Sequence, residues 1–285
     1  VGGLVDIVDI PDQLNFLDIL KNQLSPKDIV SVLLPSRGRP ELLARSIQSL
    51  LDNADSLDNI EVLVAIDEDD DASFKMVKEA DFPRCRCYIV PPMGYNNLNS
   101  YVNFLASHSK GKWLFFWNDD AIMQSKAWDK EILKHNKFRV LRVKEQSGHP
   151  YSIFPIVPRE WFTMFGNVSL HAATDAWVSQ IAYMCDIMET INVTCEHDRF
   201  DLTGNNNDET YKNRPQMDQD PDDPKDLNSN ENVRIKHLYS VRIMNLLSVA
   251  NDGNDWFLGY LKGENKLWEK QQENDPHNLT RIFDE

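Results

Sequence analysis

The sequence predicts an α/β fold in which helices cover both sides of a mostly parallel central sheet. Two observations carry that expectation. From residue 29 onward, short β-branched apolar runs alternate with stretches of helical periodicity, the pattern of strands and helices laid down in turn. Three of the apolar runs also end in polar, ligand-capable residues, as strands do where an open parallel sheet faces its ligand crevice.

The elements follow in order. Ile29 to Leu34 is short, β-branched and followed by Pro35, so it reads as a buried strand. Ser36-Arg37-Gly38-Arg39 is a loop, and Pro40 suits the first turn of a helix whose apolar face is Leu43, Ile47, Leu50 and Leu51. Ile60 to Ile66 is a second strand, running into five consecutive acids from Asp67 to Asp71. Cys87 to Val90 is a third, and a helix from about Leu98 to Ser109 precedes the very apolar fourth, Trp113 to Trp117, which leads into Asn118-Asp119-Asp120. Beyond it, strands are expected at Val140 to Val143, Ser152 to Val157 and Ile191 to Cys195, with a helix over about Asp175 to Met188. Residues 198 to 231 carry ten acids, four bases and few large apolar groups, so a mobile loop is expected there. Apolar periodicity returns over 232 to 262 and predicts a docked helix.

Composition narrows the function. With 45 acidic and 30 basic side chains, the formal charge of −15 argues against nucleic acid as a partner, because such binding relies on cations that neutralise phosphates. No apolar stretch approaches the ~20 residues of a transmembrane helix. The chain begins Val-Gly-Gly without a signal-like segment, which leads to the expectation of a cytoplasmic protein. Cys85, Cys87, Cys185 and Cys195 lack the spacing of a metal knuckle and read as reduced core thiols. Gly-rich phosphate loops of the Walker and dinucleotide types are absent, and Asp67-x-Asp69-x-Asp71 fails as a calcium loop at Ala72 and Lys78.

The most informative feature is the convergence of Ser36-Arg37, Asp67 and Asn118-Asp119-Asp120 on one edge of the sheet. Adjacent carboxylates after an apolar strand call for a counter-charge, and Mg2+ or Mn2+ bound through one or two carboxylates and substrate phosphates supplies it. Capping of a following helix is the ordinary alternative for Asp119 and Asp120.

The order of strand, Pro35-Ser36-Arg37-Gly38-Arg39, helix, strand, Asp67, Asn103 eight residues before Gly111, and Trp113 to Asp120 resembles the nucleotide-sugar half of GT-A-fold glycosyltransferases, most closely glycosyltransferase family 2. The resemblance covers roughly residues 29 to 198 and implies a GT-A-like, Rossmann-type α/β/α sandwich. It also implies a division into an N-terminal extension (1–28), a nucleotide-sugar half (29–125), an acceptor half (126–200), the acidic loop (201–231) and a helical C-terminal segment (232–285). By position, Pro35, Ser36 and Arg37 would border the base, Asp67 would accept hydrogen bonds from it, Asp119 would face the ribose, and Asp120 would ligate the metal. Asn118 stands where the family's motif has its first acid, and Glu68-Asp69-Asp70-Asp71 replaces the usual Asp-Gly-Ser after Asp67.

The resemblance further implies a metal-dependent inverting transfer from a nucleoside diphosphate sugar, UDP-linked as the first expectation, to a glycan or other hydroxyl acceptor. Asp175, in Thr174-Asp175-Ala176-Trp177, would be the general base, a helix-capping role being the alternative. His197 would be a second metal ligand, with His171 a competitor for either role, and Arg37 or Arg39 would add charge at the phosphates. A sugar nucleotidyltransferase and a catalytically inactive binding module of the same fold remain open readings.

Overall fold

The computed structural model describes residues 6–9, 26–205, 222–223 and 225–250. In chain order the elements are β1 (Asp6–Asp9), β2 (Lys27–Ser36), α1 (Pro40–Asn53), β3 (Ile60–Asp67), α2 (Asp71–Ala80), β4 (Cys85–Val90), α3 (Leu98–His108), β5 (Gly111–Phe116), β6 (Ala121–Met123), α4 (Trp128–Leu133), β7 (Val140–Lys144), β8 (Pro155–Pro158), α5 (Arg159–Phe165), α6 (Thr174–Met184), β9 (Met188–His197), α7 (Phe200–Thr203) and α8 (Asn230–Ala250). The strands form one sheet in the order β1-β4-β3-β2-β5-β8-β7-β9-β6. From β1 to β5 all pairings are parallel. β8 lies antiparallel to β5 and β7, β9 runs parallel to β7, and β6 closes the far edge antiparallel to β9.

Alternation along the central strands divides the core into two layers. Val30, Val32 and Leu34 of β2, with Trp113, Phe115 and the following Trp117, pack against Leu43, Ile47 and Leu50 of α1 and Trp128 of α4. Leu33, Leu114 and Phe116 point the other way, into a layer with Tyr101 and Val102 of α3, Trp161 of α5, Trp177 of α6 and Ile243 of α8. Helices therefore cover both faces. Parallel strands of this kind are buried on both sides, which is why β3 is buried along its whole length. Gly111 opens β5 beside β2, opposite Lys27. A Cβ there would lie 2.5 Å from Ser31 Oγ and 2.6 Å from the Ile29 carbonyl oxygen, so no larger residue fits without backbone movement.

The strands and helices expected through residue 117 are all present, with ends within about two residues. Differences cluster later in the chain. The helix expected to reach Met188 stops at Met184, because Asp186 adopts a left-handed φ of 52° and Met188 already begins β9. Of the strand expected over Ser152 to Val157, only Pro155 to Pro158 pairs; residues 152 to 154 are buried without joining the ladder. Of the helix expected over 232 to 262, α8 supplies the part to Ala250, and the rest lies outside the described residues. Most of the acidic loop does too, but its end is packed: Leu227 and Ser229 are buried. The cause is Lys236 of α8, a fully buried ammonium. It donates to Gln180 Oε1 of α6, to the Leu227 carbonyl at 2.9 Å and to Asn228 Oδ1 at 3.3 Å, tying the turn down. All four cysteines are free and buried.

Candidate functional site

The parallel registers put Ser36 opposite Ile66, Asp67 opposite Val90 and Leu33 opposite Phe116, so the ends of β2, β3 and β5 open on the same edge. Two clusters of charge stand there, and the loop between β2 and α1 feeds both. Gly38 makes this possible. Its φ of 67° reverses the chain between Arg37 and Arg39, and its N–H donates to Asp70 Oδ2 at 2.6 Å. Asp70 in turn caps α2 by accepting from the Ser73 N–H.

On one side of the turn, Arg37 reaches the acids after β3. Its guanidinium donates to Asp67 Oδ2 at 2.5 Å and grips both oxygens of Asp69, at 2.5 and 2.8 Å. Asp69 and Asp67 raise the guanidinium pKa above its ordinary value, and Arg37 holds that of Asp69 below its own. Asp67 is buried, and its other oxygen accepts from the Tyr101 hydroxyl at 2.5 Å. Burial, with that bond, pushes the Tyr101 phenol up to about 12, so it remains a donor at neutral pH.

On the other side, Arg39 turns inward. Its guanidinium lies 3.0 Å from Asp119 Oδ1 and 3.4 Å from Asp120 Oδ2, with all three side chains less than a tenth exposed. Ser36 Oγ donates to Asp119 Oδ2 at 2.7 Å. Burial and the adjacent Asp120 carboxylate push Asp119 up to about 6. Burial acts on Asp120 in the same sense, but His197 and Arg39 outweigh it and hold that carboxyl below the usual range.

The β6–β9 ladder brings His197 to this corner. Ala121 pairs with His197, and the Asp198 N–H donates to the Asp120 carbonyl at 2.8 Å. His197 Nε2 then sits 3.2 Å from Asp120 Oδ1. The two are at ion-pair distance but are not aligned as a hydrogen bond, and both atoms, with His197 Nδ1, are buried without a hydrogen-bond partner among the described residues. An imidazole nitrogen and a carboxylate oxygen 3.2 Å apart suit a divalent cation, whose oxygen and nitrogen ligands stand ~2.0–2.2 Å from it. The donor set therefore fits such an ion. No group of three or more His, Cys, Asp or Glu side chains able to hold a metal occurs among the described residues, so further ligands would come from substrate or water.

The remaining sequence candidates lie as follows. Pro35 is partly buried at the end of β2. Asn118 accepts a hydrogen bond from Ser46 Oγ through its carbonyl, and Ser46 also receives the Trp117 indole N–H. Asn103 is not directed at the acidic corner: its amide accepts from the Val168 and Ser169 N–H groups and donates to the Ser169 carbonyl, fixing the turn before α6. Asp175 sits partly buried in the first turn of α6. His171 has both ring nitrogens committed, Nδ1 accepting from the Ala173 N–H and Nε2 meeting the Lys225 carbonyl at 2.8 Å. Sequence reasoning did not single out Tyr101, Asp69 or the Arg45–Asp198 ion pair at 2.6 Å. Asp69 carried a signal as part of the acidic run after β3, and Asp198 as the neighbour of His197.

Residues 31–144 match the family described as Glycosyl transferase family 2. Among solved structures, the mannosyltransferase PcManGT from Pyrobaculum calidifontis, in complex with GDP-Man and Mn2+, is 12% identical with a TM-score of 0.52; the alignment covers 90% of this chain and 91% of that one. S. aureus TarS 1-349 in complex with UDP-GlcNAc is 13% identical with a TM-score of 0.54, over 76% of this chain and 67% of that one. This chain spans 36%, 60% and 61% of the length of three other S. aureus TarS chains that it resembles. No curated protein sequence matches it. No described helix is long and apolar enough to cross a membrane. Residues 31–144 are thus similar to glycosyltransferase family 2, and the chain has the GT-A fold of these solved structures.

Proposed function

We propose that the protein moves a sugar from a nucleoside diphosphate donor, UDP-linked as the first expectation, to an acceptor hydroxyl with inversion at the anomeric carbon. The observation that carries this reading is the pair of atoms without hydrogen-bond partners, Asp120 Oδ1 and His197 Nε2, 3.2 Å apart at the carboxyl edge of the sheet. The donor complexes of TarS and PcManGT support the choice of a nucleotide sugar.

In this reading Pro35, Ser36 and Arg37 border the base, Asp67 accepts from it, and Asp119 faces the ribose. Asp120 and His197 hold Mn2+ or Mg2+, which when bound supplies positive charge against the departing diphosphate. Asp175 takes the proton of the acceptor hydroxyl while that oxygen bonds to the anomeric carbon. Because the diphosphate leaves from the opposite face, the configuration inverts. Residues 29–125 form the donor half and 126–200 the acceptor half. The acceptor is a glycan or another hydroxyl compound.

A thermal-shift screen of UDP and GDP with and without Mn2+ tests donor binding, since a ligand of the native state raises the melting temperature by mass action. Product analysis tests the reaction: release of nucleoside diphosphate supports sugar transfer, and release of pyrophosphate identifies a nucleotidyltransferase instead.

A further inference from the structure

We propose that Arg39 is a built-in counter-ion of the carboxylate pair, which opposes a free divalent cation and gives way to one only when a nucleoside diphosphate binds. The proposal deepens the metal assignment of Asp120 and His197 and rests on it.

Arg39 is the residue just before Pro40, so its backbone is anchored at the start of α1 and at the Gly38 turn. Its guanidinium is buried against both aspartates, at 3.0 Å from Asp119 Oδ1 and 3.4 Å from Asp120 Oδ2. With His197 neutral, as an imidazole that ligates a cation must be, two carboxylates and one guanidinium leave that corner with a single negative charge. A divalent cation at Asp120 Oδ1 would reverse the sign and face a like charge on the other oxygen of the same carboxylate, in surroundings that screen poorly. Without the guanidinium, the same ion would bring the corner to neutrality. Arg39 therefore works against a cation that arrives alone.

A diphosphate changes the balance. It brings negative charge of its own, and a planar guanidinium matches paired phosphate oxygens as well as it matches carboxylates. Arg39 then has a second anionic partner at the position where the cation also needs one. Cation and nucleotide are thereby coupled: each improves the corner for the other, and the arginine is the element that both must satisfy.

Isothermal titration of the full chain with Mn2+ alone, and with UDP or GDP in the presence of Mn2+, tests this on the parent, Arg39→Gln and Arg39→Lys. Arg39→Gln is expected to bind Mn2+ alone about tenfold tighter than the parent and to bind the nucleotide about tenfold more weakly, because one positive charge has been removed from both encounters. Arg39→Lys keeps the charge and should stay near the parent for Mn2+ alone. If the parent shows Mn2+-dependent nucleotide binding but Arg39→Gln takes up Mn2+ no more tightly than the parent, the counter-ion proposal falls while the metal assignment stands. If the parent binds nucleotide with no dependence on Mn2+, both fall. Should Arg39→Gln not fold, the parent decides alone: equal Mn2+ affinity with and without nucleotide overturns the proposal, and nucleotide-enhanced affinity supports it.

Discussion

His197 Nε2 stands 3.2 Å from Asp120 Oδ1, and neither atom has a hydrogen-bond partner among the described residues. Buried polar atoms are almost always hydrogen-bonded, so this close pair without an aligned hydrogen bond is the observation on which the proposed metal assignment rests. The backbone makes the arrangement rigid: β6 and β9 pair at Ala121 and His197, and the Asp198 N–H is bonded to the Asp120 carbonyl. Asp120→Asn should therefore fold and yet lose Mn2+-dependent nucleotide binding. His197→Ala should weaken Mn2+ binding on the order of tenfold to a hundredfold. Calorimetry with circular dichroism as the folding control measures both.

Tyr101 and Arg37 hold the two oxygens of the buried Asp67 from opposite sides. Tyr101→Phe removes a hydrogen bond to a charged group and should lower stability by about 1–2 kcal/mol in urea denaturation. Arg37 is half exposed, so Arg37→Ala should change stability by less than about 1 kcal/mol. Its effect belongs in nucleotide affinity, which should fall because Asp67 loses the partner that orients it.

Lys236 gives a stability test with a pH signature. Lys236→Met leaves the Leu227 carbonyl, Gln180 Oε1 and Asn228 Oδ1 without their donor and should cost about 2–4 kcal/mol. Burial lowers the ammonium pKa from the ordinary 10.5 to about 7. Between those values the unfolded chain binds the extra proton, so this residue makes stability rise with pH across that window and contributes no slope below it. Denaturation midpoints measured at several pH values should show this rise in the parent, and Lys236→Met should lack it.

Much of the architecture was readable because each signal was local. β2, β3 and β5 declared themselves as β-branched or aromatic runs, and Pro40 fixed the start of α1. The strand-end acids were readable for the same reason: Asp67 directly follows one apolar run, and Asp119 and Asp120 follow another after Asn118. The short later elements were not. β6 has three residues and α4 and α5 have six and seven, too few for a period to show. Partnerships were equally hidden. Nothing near Tyr101 in the chain points to Asp67, which lies 34 positions away, and Asn103 was expected near the donor but spends its amide on the turn at Val168 and Ser169. The sequence placed Arg39 at the phosphates, whereas its burial against Asp119 and Asp120 needs the Gly38 reversal to be seen.

Gly111 tests the sheet itself. Gly111→Ala puts a methyl group against Ser31 Oγ and the Ile29 carbonyl, where β2 and β5 are hydrogen-bonded neighbours, and should destabilise the protein by about 1–3 kcal/mol. Urea denaturation reads the loss, with no loss of Mn2+ affinity expected in the folded fraction.

A crystal grown with Mn2+ and UDP or GDP, with data collected at the manganese absorption edge, addresses the metal assignment most directly. The expected result is an anomalous peak within coordination distance of Asp120 Oδ1 and His197 Nε2, with diphosphate oxygens completing its shell. Nucleotide bound at the carboxyl edge with no manganese at those two atoms would contradict it.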